Sequence, residues 1–130
     1  MTSWIDLLLD ATPIRKIYGA ELPSLVDIDV HEIVLHRDGP RVLLRFDCQK
    51  FPTNPPVKWK LAEYNRLQLT LLAVGIHEIS IRGLPSECKL SLNVIENGEL
   101  IRIQTLEGDM NINILADSLL VDNISAYRNQ

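Results

Sequence analysis

The nine residues Phe51-Pro52-Thr53-Asn54-Pro55-Pro56-Val57-Lys58-Trp59 constrain this chain more than any other stretch. Pro52, Pro55 and Pro56 each lack a backbone N–H and push the residue before them toward extended conformations, so neither a strand nor a helix is expected through the prolines, while Lys58 to Tyr64 can form one helical turn after them. Apolar residues alternate with polar ones on both sides of it. The sequence therefore predicts two strand-rich halves joined by a rigid crossover, whose prolines also restrict the unfolded chain. Phe51 and Trp59 are expected to bracket the edge of the core.

Upstream, Val26, Ile28 and Val30 share one parity and Asp27, Asp29 and His31 the other, which is the period of a half-buried strand. At Ile33 and Leu35 the apolar parity flips, and a bulge or bend near His31-Glu32 is needed to re-aim the side chains. Arg37-Asp38-Gly39-Pro40 has turn chemistry, and Val42, Leu44 and Phe46 give the inward face of a return strand.

Downstream, Leu67, Leu69, Leu71 and Ala73 alternate, while Leu72 and Val74 add apolar character to the opposite face. That strand is expected to be buried on both sides, with Gly75 separating it from the next, Ile79 and Ile81. Leu90, Leu92 and Val94 follow, then the hairpin signal Asn97-Gly98 and the return Ile101, Ile103 and Thr105. Ile112, Ile114 and Ala116 make another strand, and Leu119 to Tyr127 is strand-like with mixed parity.

The N-terminal segment has a different signature. Ser3 with Asp6 resembles a loose capping box ahead of Trp4, Ile5 and Leu7 to Leu9. Thr12 can cap a second short helix, with Pro13 at its first position and Gly19 closing it in a left-handed conformation. Neither can stand alone, so both should dock on the sheet. The expected architecture is one domain over 1–130, of class α+β and predominantly β. Short helices occupy 1–20, and 26–127 forms an antiparallel sheet or sandwich of about eight strands in meander order.

Composition narrows the function classes. At 46% hydrophobic and 23% charged residues the chain is globular in character. A net charge of -4 argues against non-specific nucleic-acid binding, which depends on cationic side chains displacing phosphate counterions. No basic, apolar leader is visible, and charges interrupt every hydrophobic run well short of the roughly 20 residues that span a bilayer. A cytoplasmic protein is expected, contacting neither membrane nor nucleic acid, with Cys48 and Cys88 reduced and acting as small hydrophobes.

Catalytic and metal chemistry find little support. His31, His36 and His77 invite a metal reading alongside Asp29, Glu32 and Glu78. His31 and His36, however, differ by an odd number and should point to opposite faces of a regular strand, unless the bulge reunites them. No metal site or cofactor is expected. Ser80, Ser86 and Ser91 lack a nucleophile-elbow setting, and the glycines sit singly between strands instead of clustering ahead of a helix as a phosphate loop requires. The protein is read as a non-enzyme, with no catalytic residues.

Several blocks carry a resemblance. Trp4-Ile5-Asp6, Pro23-Ser24-Leu25 through His31-Glu32-Ile33, Asp38-Gly39-Pro40, the Phe51 to Trp59 stretch and Ile124-Ser125-Ala126-Tyr127, in that order, resemble immunity protein family 50 of bacterial polymorphic-toxin systems. The Phe-Pro-x-Asn-Pro-Pro-x-Lys-Trp pattern is its most specific part. The resemblance implies a protein that binds and neutralises a cognate toxin by stoichiometric inhibition, as a monomer or homodimer, and it transfers no catalytic residues.

Contact residues must therefore come from the chain itself. Asp27, Asp29, Glu32 and Asp47 are expected on polar faces of the first hairpin, complementary to a basic toxin that grips nucleic acid. Trp59 and Tyr64 are aromatic anchor candidates, with covering of the core edge the favoured role for Trp59. The competing classes are a self-associating assembly module that pairs through an exposed edge strand, and an enzyme of unknown reaction.

Overall fold

A computed structural model describes residues 3–106 and 108–129. The chain forms a seven-stranded, wholly antiparallel sheet: β1 (Ile28–His36), β2 (Arg41–Asp47), β3 (Arg66–Arg82), β4 (Lys89–Leu90), β5 (Leu92–Asn97), β6 (Leu100–Thr105) and β7 (Asn111–Tyr127). The short helices are a 3₁₀ turn at Trp4–Leu7, α1 (Thr12–Tyr18) and α2 (Val57–Leu61). The class is α+β and mainly β, as expected. No helix among the described residues is long and apolar enough to cross a membrane.

Strand order corrects the expected meander. The sheet runs β4-β1-β2-β3-β7-β6-β5, so the two longest strands, β3 and β7 at 17 residues each, pair with one another across the intervening β4–β6 segment. Gly75 does not end a strand. It sits inside β3 at φ 68°, and the chain passes through it into Ile76 to Arg82. The last two expected strands likewise merge into β7, and Lys89–Leu90 splits off as β4. Only Ser91 separates β4 from β5, yet they bond to opposite edges, β4 to β1 and β5 to β6. That link brings the sheet close to closure.

The parity changes have physical causes. In β1 the pairing with β2 shifts between Val30 and Glu32, leaving His31 as the extra residue of a bulge at the expected place. In β7 the register against β3 jumps at Asp122, which accounts for the mixed parity of Leu119 to Tyr127. Val26, expected inward with Ile28, lies before the strand and is 48% exposed, because Asp27 takes φ 52° and breaks the alternation. Asp is among the residues that tolerate this left-handed conformation.

The core gathers Ile28, Leu44, Phe46, Leu67, Leu69, Leu71, Ile103, Ile112, Ile114 and Leu119, each almost wholly removed from water. Ile5, Leu8, Ile14 and Tyr18 add the helical side, and the Leu9 N–H donates to the Leu119 carbonyl at 2.9 Å. Ser3 caps the 3₁₀ turn through the Ile5 N–H at 3.3 Å. The α1 cap position is Ala11, which has no polar side chain to cap with; one residue earlier the Asp10 carboxylate accepts from the Thr12 N–H at 3.0 Å, and this bond draws its carboxyl below the usual value. Thr12 is therefore the first helical residue and not the cap.

The helical turn expected after the prolines forms, but begins one residue earlier than Lys58. Pro56, at φ -54° and ψ 149°, precedes a single helical turn that starts at Val57 within the stretch. Proline there costs no helical hydrogen bond, since the first N–H groups of a helix have no internal partner. Phe51 and Trp59 meet with ring centroids 6.1 Å apart and lie against the core. Tyr18 secures the approach to this stretch by donating its hydroxyl to the Lys50 carbonyl at 2.7 Å.

Candidate functional site

β1 and β3 begin at the end of the sheet where β2 and β7 finish, and the antiparallel register fixes what meets there. Asp29 lies opposite Asp47, Asp47 opposite Gln68, and Arg66 opposite Tyr127. A cleft of about 440 Å³ opens over this row, with Asp27, Asp29, His31, Asp47, Arg66, Lys89 and Tyr127 in its lining.

Asp47 is the centre of the cleft. It is only 7% exposed, and a carboxylate so enclosed needs partners. Gln68 Nε2 donates to its Oδ1 at 3.3 Å, the Tyr127 hydroxyl donates to its Oδ2, and His31 Nε2 lies 3.1 Å from the same oxygen. Because the phenol proton is held by the carboxylate and by partial burial, the Tyr127 pKa is pushed up to about 12. Gln68 in turn accepts from Arg45 Nη1 at 3.1 Å, and Arg45 Nε stands 3.5 Å from Glu32. A polar chain thus runs across β1, β2, β3 and β7 and ends on one buried carboxylate.

Asp29 differs from Asp47. It is half-buried, directly across from Asp47, and its carboxylate has no hydrogen-bond or ion-pair partner among the described residues. Like charges placed directly opposite on paired strands repel. Ligand-type atoms of Asp29, His31 and Asp47 all lie within 4.8 Å of one another.

The family model described as immunity protein 50 matches residues 10–127. The chain belongs to the immunity protein 50 family. The match takes in every cleft residue named above. No curated protein matches the sequence closely enough to count as a relative.

Within this immunity protein 50 fold, the residues proposed from sequence are unequal. Asp27 precedes β1, donates its N–H to Ser91 Oγ at 3.1 Å and lines the cleft with Asp29. Glu32 is exposed beside Arg45. Asp47, expected on a solvated strand face, is instead enclosed by Tyr127, Gln68 and His31. Trp59 is partly buried against Phe51, whereas Tyr64, two residues before β3, is exposed. His36 sits at the far end of β1 opposite Arg41, and His77 pairs with Asp117 at 2.8 Å.

Sequence reasoning missed the parts that make the cleft concave. Arg66, Lys89 and Tyr127 reach it, and Gln68 reaches Asp47, only through pairings across the sheet, and no local pattern announces those. His31 carries a local signal, the parity break, and Asp29 lies two residues away on the same strand, but Asp47 joins them only through the β1–β2 register. Cys48 also lines the cleft, yet burial pushes its thiol up to about 12, which makes it a poor nucleophile at neutral pH.

Proposed function

We propose that this chain is a cytoplasmic immunity protein that neutralises a cognate polymorphic toxin by forming a stoichiometric complex with it, as a monomer or homodimer, without catalysis. The supporting observation is the family match over 10–127. The contact surface we assign is the cleft end of the sheet, where Asp27 and Asp29 form a carboxylate rim around the buried Asp47, Glu32 adds an exposed charge further along β1, and Trp59 and Tyr64 stand on the segment leading into β3. Arg66 and Lys89 share that cleft, so a complementary toxin surface carries cationic groups for the rim together with acceptors for these two side chains. Co-expression with the product of the adjacent gene tests the reading. Rescue of growth and co-purification in a fixed ratio support it, and a toxic neighbour that is neither rescued nor bound overturns it.

A further inference from the structure

Independently of any toxin, we propose that Asp29, His31 and Asp47 form a binding site for a divalent first-row metal ion, with Zn²⁺ the best match to the donor set. The donors are two carboxylates and an imidazole, a combination suited to this class of ion. His31 Nε2 and Asp47 Oδ2 are 3.1 Å apart. Two atoms bound to one ion at about 2.1 Å are separated by about 3.0 Å in octahedral and 3.4 Å in tetrahedral geometry. The existing spacing therefore needs little adjustment.

The third ligand comes from register. Asp29 is directly opposite Asp47, and its carboxylate is otherwise unpartnered among the described residues. A dication between the two carboxylates cancels their repulsion. It binds between His31 Nε2 and Asp47 Oδ2, where the imidazole must present the lone pair of Nε2 to the ion. Gln68 and Tyr127 keep their bonds to Asp47 and fix its orientation, as outer groups do around bound metals. The cleft supplies water for the remaining positions. Lys89, cross-strand from Asp29, and Arg66 on the opposite wall oppose the charge of the ion and limit its affinity.

The test uses the full chain stripped with a chelator and then titrated with Zn²⁺ against a chromophoric competitor, or with Co²⁺ followed by visible absorption. One equivalent should bind, with ligand-field bands for Co²⁺ that include a nitrogen donor. Asp29→Asn and His31→Gln should each weaken binding at least tenfold while leaving the metal-free thermal midpoint close to that of the parent. His77→Ala, which removes the exposed His77–Asp117 pair, should leave binding unchanged. The proposal is overturned by an absence of stoichiometric uptake at tens of micromolar ion, by uptake that survives His31→Gln, or by uptake that depends on His77. As a second readout, Zn²⁺ should raise the thermal midpoint of the parent and of His77→Ala, but not that of Asp29→Asn.

Discussion

The hydroxyl of Tyr127 donates to Oδ2 of Asp47 across 80 residues of sequence. The two side chains belong to β7 and β2, which never touch as strands because β3 lies between them. Gln68 of β3 holds the other oxygen of the same carboxylate. Three neighbouring strands are thus tied at one end by a single buried acid, and the cleft keeps its shape because that acid cannot move without leaving donors unpaired.

Removing the phenol should be measurable. Tyr127→Phe leaves Asp47 with Gln68 and His31, so the expected loss is about 1–2 kcal/mol, the range for a hydrogen bond to a charged group. Asp47→Ala strands both Gln68 and Tyr127 and should cost more, roughly 2–3 kcal/mol. Urea denaturation of the three proteins checks this. The midpoints should fall in that order with unchanged slopes, and equal midpoints for parent and Tyr127→Phe would show the contact to be idle.

Alkali should destabilise the protein from the pH at which three groups ionise in the unfolded chain. Tyr127 rises from 10.0 to about 12 through its bond to Asp47, Cys48 from 9.0 to about 12 through burial, and burial also pushes Tyr18 up. Each group keeps its proton longer folded than unfolded, so the unfolded chain binds fewer protons above the ordinary values. Their stabilisation is complete below pH about 9 and is lost as pH climbs toward 12. Denaturation midpoints should be level from pH 7 to 8.5 and then decline. Tyr127→Phe should make the decline between pH 10 and 12 shallower, and an identical profile would contradict the assignment.

Gly75 is where β3 needs a residue without a side chain. Its φ is 68°, and an added Cβ would overlap the Asp117 carboxylate and come within 2.9 Å of the Asp117 Cβ. Gly75→Ala should cost about 2 kcal/mol or more, combining left-handed strain with the overlap. Adding Asp117→Ala should restore part of the loss by clearing the carboxylate, while the strain persists. A double-mutant cycle by thermal denaturation measures the coupling, and strict additivity would show that the overlap is relieved elsewhere at no cost.

Legibility in the sequence followed the range of the interactions. The parity flip at His31-Glu32 revealed a bulge, because one extra residue in a strand leaves a local trace. Gly75 misled for the same reason: a lone glycine between apolar runs signals a turn, and only the pairing with β7 shows that the strand continues through it. Asp27 and Asp29 could be placed at the start of a strand from their neighbours. The burial of Asp47 could not, since the groups that enclose it include Gln68, 21 residues away, and Tyr127, 80 residues away.

The burial of Asp47 also decides which charges can probe the toxin interface. Reversing it would bury an unmatched cation and unfold the sheet end, so any loss of binding would carry no information. Asp27, Asp29 and Glu32 lie outside that enclosure, and among the described residues Glu32 has only the partly exposed Arg45 as an ion-pair partner. Changing Asp27 to Asn, which tolerates the same left-handed backbone, and Asp29 and Glu32 to Lys should preserve the fold, with most of any cost falling on the half-buried Asp29. If the rim meets a basic toxin surface, the triple variant should bind at least tenfold more weakly at low salt. The salt dependence of its affinity should flatten, because the attraction that ions screen has been removed. Titration calorimetry at two ionic strengths with the purified neighbouring toxin reads both effects. Unchanged affinity and unchanged salt dependence would move the contact surface away from the rim, while growth rescue by the parent would still support neutralisation itself.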